Sequence, residues 1–105
     1  MLGIAIDRVR ADLKAEFDKK TGLRNHDAFQ IEADREIAKV KRNPELHGLT
    51  IGLEDIDFFG AFNSTNGELT GDKALRAVAD SLKESIRETD FAGRWGGEEF
   101  AFALP

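Results

Sequence analysis

The sequence predicts an α/β sandwich, in which a central sheet that contains antiparallel strands is flanked by helices. Three observations lead to this fold class. Apolar residues recur at helical spacing in three segments, an apolar run of strand length lies at 49–59, and apolar residues alternate with alanines after the glycine pair at 96–97. The predicted order is helix, helix, strand, helix, strand, strand.

The first predicted helix covers residues 2–17 and carries an apolar stripe with charged residues on its other sides. We expect residues 1–17 to be an N-terminal linker or signalling helix and residues 18–105 to be the folded domain. The helix could pack on that domain, or it could pair with a second copy as a short coiled coil. The stripe consists of Leu2, Ile6, Val9, Leu13 and Phe17.

The second predicted helix begins at about His26, after a polar break, with Asn25 or Asp27 as its cap. Pro44 and Gly48 mark its end, because proline cannot continue a helix. One face carries the apolar residues Phe29, Ala33, Ile37 and Val40.

The segment 49–59 is rich in β-forming residues and is short enough to be a central strand. Residues 60–72 predict a loop that can include a short helix. A third helix is predicted from about Asp72 to Glu88, followed by a β-hairpin that contains the glycine pair. The apolar face of this third helix consists of Leu75, Val78, Leu82 and Ile86.

Composition excludes several classes of protein. A chain of 105 residues forms one domain at most, and it contains no cysteine, which suits a cytosolic protein. No apolar run reaches membrane-spanning length, and Asp7 and Arg8 interrupt the start too early for a signal peptide. The net charge of -5 argues against a nucleic-acid polymer as a partner. We expect a cytoplasmic domain whose parent protein could be membrane-anchored.

The turn "RWGGEEF" at 94–100 has two interpretations. It is a hairpin tip in which Gly96 and Gly97 supply positive φ, or it belongs to a site for a metal ion and a polyphosphate. On a strand, Asp55 and Asp57 would share one face, roughly 6.5–7 Å apart. A neighbouring hairpin would bring Glu98 and Glu99 close to Asp55, and such oxygen ligands favour Mg²⁺. The spacing alone leaves both interpretations open.

The same heptapeptide resembles the signature of the GGDEF domains, the diguanylate cyclase family, in which glutamate often occupies the third position. Four more segments match the family in order: "TGLRNHDAF", "DIDFF", "FNSTNGELTGD" and "RETD". The resemblance implies the nucleotidyl cyclase or ferredoxin-like fold. It also implies that residues 18–105 form a partial GGDEF domain that lacks the C-terminal part of that fold.

The resemblance further implies that two GTP molecules, one on each of two facing domains, are condensed into cyclic di-GMP with release of pyrophosphate. A homodimer is therefore expected for activity. Asp55, Glu98 and the carbonyl of Ile56 are similar to the ligands of Mg²⁺ (or Mn²⁺) in the family. Glu99 would assist deprotonation of the ribose 3′-hydroxyl, and Glu98 is the second candidate catalytic acid.

Two further sites are implied by the resemblance. Asn63 and Asp72 resemble the pair that recognises guanine, in a substrate site that also includes Phe58, Phe59, Gly96 and Gly97. Arg87 and Asp90 resemble the inhibitory site for the product, cyclic di-GMP. The alternative for these last two is a charged helix end, where an arginine favours the helix dipole.

The chain departs from the family at four positions. Gly60 stands where a lysine is usual, Ser64 replaces an aspartate, Glu68 replaces a histidine, and Lys20 replaces an apolar residue. Lys19, Lys20 or Arg94 could replace the missing cation. Intact "GGEEF" and Asp55 favour a diguanylate cyclase domain, of which we expect this chain to be an inactive fragment, whereas Gly60, Glu68 and the truncation favour the alternative. The alternative is a degenerate module that binds GTP or cyclic di-GMP as a sensor or dimerisation element, and a third is an unrelated structural α/β domain.

Overall fold

The structure is a computed structural model that describes residues 16–105. Most of the predicted N-terminal helix therefore lies outside the described residues. Its last residue, Phe17, is not helical and instead forms an isolated antiparallel bridge with Arg24. Within residues 16–105, no helix has the length and apolar character needed to cross a membrane.

The helix predicted from His26 is present as α1, His26–Arg42. Asn25 caps it, because its Oδ1 accepts a hydrogen bond from the N–H of Ala28 at 2.9 Å. Phe29 and Ala33 are buried, as the apolar stripe predicts. The helix ends two residues before Pro44, and its last turn carries basic side chains that favour the dipole: Lys39, Lys41 and Arg42.

The sheet contains three strands: β1 (Thr50–Asp55), β2 (Phe91–Arg94) and β3 (Glu99–Leu104). Their order is β1-β3-β2, and both pairs are antiparallel. The predicted fold class and the hairpin are confirmed. The expectation that the 49–59 strand is central is wrong for the described residues, because β1 lies at an edge of this sheet.

The first strand also ends earlier than predicted. Asp55 is its last residue, and Asp57 lies in the turn that follows. Phe58 then adopts a left-handed conformation, φ 58° and ψ 28°, which turns the chain directly into the next helix. The prediction that Asp55 and Asp57 share one face of a strand is therefore wrong.

The segment after β1 contains two helices, α2 (Phe59–Asn66) and α3 (Glu68–Ser85). The short helix that the loop could include is therefore present. The third predicted helix begins at Glu68 rather than Asp72, because Gly67 alone separates the two helices with a positive φ of 87°. Its end also comes earlier than Glu88, since Ile86 is already extended.

Helices cover both faces of the sheet. On one face, α2 and α3 pack against alternate residues of β2 and β3, and on the other face α1 packs against the remaining ones. Phe100 lies at the centre of the first face and is fully buried, so its replacement by alanine would cost about 3–5 kcal/mol. The first cluster is Leu23, Phe59, Leu75, Ala79, Leu82, Ala92 and Phe100, and the second is Phe29, Ala33, Phe91, Ala101 and Ala103.

Candidate active site

The register of β1 and β3 brings the predicted acidic residues together. Asp55 and Glu99 are directly opposite each other in the antiparallel ladder. One residue further, the N–H of Ile56 donates to the carbonyl of Glu98 at 3.1 Å. Directly opposite residues have Cβ atoms roughly 4.5–5.5 Å apart. The hairpin tip therefore lies beside the end of β1, as the sequence predicts.

These carboxylates lie outside the ion pairs of the described part of the chain. Among residues 16–105, no lysine, arginine or histidine forms an ion pair with Asp55, Asp57, Glu98 or Glu99. The described residues also contain no group of three or more acidic, histidine or cysteine side chains gathered closely enough to hold a metal ion. The donor set still suits Mg²⁺, which commonly takes one or two carboxylates and fills its other positions with water and phosphate oxygens.

The glycine turn is held from inside by Arg94. Its Nε donates to the carbonyls of Gly96 and Gly97, both at 3.2 Å, and its Nη2 donates to Gly97 at 2.7 Å. Its Nη1 forms an ion pair with Asp18 at 3.1 Å, and both side chains are largely buried. Arg94 therefore connects the turn to the segment that precedes α1, and this cation is engaged within the protein.

Asp18 is the centre of a second set of hydrogen bonds. Its Oδ2 accepts from the hydroxyl of Thr21 at 2.7 Å and from the N–H of Thr21 at 2.9 Å. Partial burial acts to raise the pKa of Asp18, but the Thr21 hydrogen bonds and the charge of Arg94 together lower it below its usual value. The carboxylate is therefore held in its charged form, and residues 18–21 form a fixed turn.

The two glycines of the signature do not adopt the positive φ that the hairpin-tip interpretation assigned to them. Positive φ occurs among the described glycines only at Gly22 and Gly67, so neither Gly96 nor Gly97 requires it. A Cβ at Gly96 would overlap the carboxylate of Glu99, whereas a Cβ at Gly97 would meet open space. The Glu99 side chain is exposed and can move aside, so no contact among residues 16–105 requires glycine at either position.

The predicted guanine-recognition residues lie on adjoining helices. Asn63 on α2 packs over Gly71 of α3, where any Cβ would overlap its carboxamide. The Oδ1 atom of Asn63 is buried and has no hydrogen-bond partner among the described residues. Asp72 follows Gly71 and forms an ion pair with Lys20 Nζ at 3.2 Å. The site thus combines an unused acceptor with a paired carboxylate.

The two phenylalanines predicted to contact substrate are in different environments. Phe58 is 87% exposed, and its ring is available to a ligand. Phe59 is 8% exposed and belongs to the core cluster beneath α3. Any contribution of Phe59 to a substrate site is through packing.

The predicted product site lies at a separate cavity of about 330 Å³. Arg87 and Asp90 both line it, together with the basic side chains of Arg24 and Lys83. Asp90 Oδ2 accepts from the N–H of Arg87 at 2.8 Å, which shapes the turn before β2. Three cations and the two carboxylates of Glu88 and Asp90 line this opening, so a ligand there would meet charges of both signs.

Several of these residues were missed by the sequence predictions. The pairing of Asp18 with Arg94 joins residues 76 positions apart, and the sequence offers no local signal for it. Arg24 and Lys83 are single basic residues in polar segments and show no pattern that marks a cavity. Lys20 was suggested only as a replacement cation, and the structure pairs it with Asp72 instead.

Comparisons with known proteins agree with this geometry. The family model for "Diguanylate cyclase, GGDEF domain" matches residues 15–105. The chain is 39% identical over 92 residues to diguanylate cyclase DgcP of Pseudomonas aeruginosa, covering 88% of this chain and 13% of the relative. It is 35% identical over 97 residues to diguanylate cyclase VdcA of Vibrio cholerae, covering 87% of this chain and 25% of the relative.

Among solved structures, the GGDEF domain of DgcB from Caulobacter crescentus in complex with c-di-GMP matches with a TM-score of 0.81 and 38% identity. That match covers 87% of this chain and 51% of the solved chain. The chain thus spans about half of this solved domain and a smaller share of the two relatives. On the family match, the sequence identity and the shared fold, this chain belongs to the GGDEF domain family, whose members include diguanylate cyclases.

Proposed function

We propose that this chain is the nucleotide-binding part of a cytoplasmic diguanylate cyclase domain. In the proposed reaction, the ribose 3′-hydroxyl of one GTP attacks the α-phosphorus of a second GTP, and pyrophosphate leaves. A second such step closes the ring of cyclic di-GMP. Because one domain holds one GTP, two facing copies are required.

The pairing of the end of β1 with the hairpin tip carries this proposal. Asp55 and Glu99 are opposite each other, and the Ile56 N–H bonds to the Glu98 carbonyl beside a turn that Arg94 holds rigid. Carboxylates that the strand pairing brings together, and that form no ion pair within residues 16–105, are suited to a site that a cation and phosphates complete. An ordinary hairpin tip would not need this buried support.

Each residue has a distinct proposed task. Asp55, Glu98 and the Ile56 carbonyl would hold Mg²⁺ or Mn²⁺, which neutralises phosphate charge when it is bound. Glu99 would accept the proton of the attacking hydroxyl. Gly96 and Gly97 leave room for the phosphates. The guanine base would be contacted by Asn63, Asp72 and the exposed Phe58.

Calorimetric titration with GTP and with ATP, each with Mg²⁺, tests the proposal. We expect GTP to bind more tightly. Asp72→Ala should reduce the preference for guanine more than Asp55→Ala does, while Asp55→Ala should reduce the dependence on Mg²⁺. Equal affinity of the wild type for both nucleotides would contradict the proposed site.

A second candidate function is a module that senses cyclic di-GMP without making it. The cavity lined by Arg24, Lys83 and Arg87 favours this candidate, because its basic side chains suit the two phosphates of that ligand. At the proposed GTP site, Gly60 replaces the lysine that is usual in the family, and Glu68 adds a negative charge where a histidine is usual. Both changes weaken the case for a cyclase.

Titration with cyclic di-GMP distinguishes the two candidates. A sensor would bind cyclic di-GMP but not GTP, and Arg87→Ala would weaken that binding. In a cyclase, the same variant of the full-length parent should relieve product inhibition without lowering the initial rate. Loss of product inhibition together with loss of the initial rate would show that the two sites are not separate.

A further inference from the structure

The turn before α1 projects a lysine towards the predicted base site. Lys20 Nζ lies 3.2 Å from Asp72 Oδ1, and the two side chains are 46% and 34% exposed. The pair is therefore within reach of solvent and of a ligand. It joins the turn at residues 18–21 to the start of α3.

The position of Lys20 is fixed by the backbone around it. Thr21, the next residue, is fully buried, and its N–H and hydroxyl both bond to Asp18. The N–H of Gly22 also donates to the Asp18 carbonyl at 2.7 Å. Asp18 is in turn held by Arg94. Lys20 thus extends from a rigid turn rather than from a free loop.

This pair offers a ligand both a hydrogen-bond acceptor and a hydrogen-bond donor. The carboxylate of Asp72 is an acceptor, and the ammonium of Lys20 is a donor only. The buried Oδ1 of Asn63 is a further acceptor without a partner among the described residues. Asn63 packs against Gly71, the residue that precedes Asp72.

Guanine matches this arrangement, and adenine opposes it. The Watson–Crick edge of guanine has the O6 acceptor beside the N1–H and N2–H donors. A carboxylate can accept from both donors while a neighbouring ammonium donates to O6. Adenine reverses the pattern, because its N6 amino group would face the ammonium and its N1 lone pair would face the carboxylate.

We propose that Lys20 is a specificity-determining residue that donates a hydrogen bond to guanine O6, so that Lys20 and Asp72 recognise the base as a donor–acceptor pair. This inference rests on the proposed GTP site. Without a ligand, the ion pair keeps both groups in place. When guanine binds, Lys20 donates to O6 and Asp72 accepts from the N1–H and N2–H groups.

Binding titrations with GTP, ATP and 6-thio-GTP, all with Mg²⁺, test the role of Lys20. The sulfur of 6-thio-GTP is a weaker acceptor at the same position, while its N1–H and N2–H donors remain. Lys20→Met keeps the apolar stem and removes the donor. We expect this variant to lose roughly fivefold to tenfold in GTP affinity. Its affinity for 6-thio-GTP should change less than twofold, so the preference for oxygen should disappear.

Two controls separate a hydrogen bond from a general charge effect. Lys20→Arg retains a donor and should restore most of the preference for GTP. Lys19→Met removes the same charge from the exposed neighbouring residue and should leave the preference for guanine over adenine unchanged. Equal unfolding midpoints of the variants would establish that the fold is intact, and a lowered midpoint for Lys20→Met would make Lys20→Leu, which also has no donor, the test variant.

The outcomes distinguish this inference from the proposed function. A wild type that binds GTP and ATP equally overturns both. A wild type that prefers GTP, with the same preference in Lys20→Met, overturns only the role of Lys20. A parallel loss of GTP, ATP and 6-thio-GTP binding in Lys20→Met and Lys19→Met also overturns it, because it would show a charge effect alone.

Discussion

Gly97 offers the sharpest single-residue test of the phosphate site. A Cβ at this position meets no atom of residues 16–105, and the backbone does not require positive φ. Gly97→Ala should therefore leave the unfolding midpoint unchanged or slightly higher. If phosphates approach this backbone, the methyl group should weaken GTP binding by roughly tenfold or more.

Gly48→Ala is the matched control for this experiment. Gly48 also has open space around its Cα, but it lies in the loop before β1. Its alanine variant should bind GTP as the wild type does. Unchanged binding by Gly97→Ala would show that no ligand approaches that glycine.

Gly60 tests whether the missing lysine limits nucleotide binding. It is exposed in the first turn of α2, with no atom in the way of a Cβ. Gly60→Ala should stabilise the helix by about 1 kcal/mol without changing GTP affinity. Gly60→Lys should gain less stability, because a cation opposes the dipole at a helix start.

The gain from Gly60→Lys should instead appear in GTP affinity. The added ammonium would lie near carboxylates and phosphates that have no basic partner among the described residues, so we expect a gain of roughly fivefold to tenfold. The gain should decline with increasing salt. Titration of both variants at two ionic strengths measures this, and equal affinities would refute the idea.

At the scale of elements, the Asp18–Arg94 pair connects the turn before α1 to the β2–β3 hairpin. The lowered pKa of Asp18 means that this pair stabilises the fold above the unfolded-state value of 3.8 and that the contribution is lost as pH falls through the folded-state value. Asp18→Asn should lower the free energy of unfolding at neutral pH by about 1–3 kcal/mol.

The difference between Asp18→Asn and the wild type should shrink as the solution is acidified, because the wild-type carboxyl is then also neutral. Chemical denaturation over a pH series measures this. Asp80→Asn is the control, since the Arg76–Asp80 pair on α3 is half exposed and should contribute less than about 1 kcal/mol. A pH-independent difference for Asp18→Asn would contradict the role of its charge.

The elements that were predicted well are those with local signals. Asn25, the apolar stripe and Pro44 suffice to locate α1, and the alternation after Gly97 suffices to locate β3. The start of α3 was missed because Gly67, Thr70 and Gly71 together resemble a loop. The sequence cannot show that Gly67 is a single break between two helices or that Gly71 serves the close packing of Asn63.

Long-range pairing explains the other errors. The position of β1 within the sheet depends on strand partners that its own residues do not specify. The end of β1 depends on the left-handed turn at Phe58, a conformation that is uncommon for an aromatic residue. In the site, the family motifs indicated Asp55 and Glu99. The contacts of Arg94 and Lys20 join distant parts of the sequence and could not be predicted from it.

At the scale of the whole molecule, the outer side of β1 predicts self-association. Ile51 and Leu53 are 46% and 64% exposed on one face of β1, and no strand of residues 16–105 pairs with the outer backbone edge of this strand. Exposed apolar edges favour pairing with another chain. We expect concentration-dependent dimers in analytical ultracentrifugation, and Leu53→Lys should shift them towards monomers.

Leu46→Lys is the control for this prediction, because Leu46 is 75% exposed but lies outside the sheet. It should leave the association unchanged. A wild type that is monomeric at all concentrations would contradict the prediction. Because the proposed reaction requires two facing sites, an edge-paired dimer should also produce little or no cyclic di-GMP from GTP, which nucleotide analysis would reveal.

The contact of Arg94 with Asp18 has a consequence for the order of folding. The two residues are 76 positions apart, so their pairing closes nearly the whole described chain, after local helices and the hairpin have formed. Mutations that remove the pair should therefore accelerate unfolding and leave the folding rate almost unchanged. Stopped-flow kinetics of Arg94→Met should give a φ-value near zero, and the docking of residues 18–21 on the hairpin would be the last contact to form.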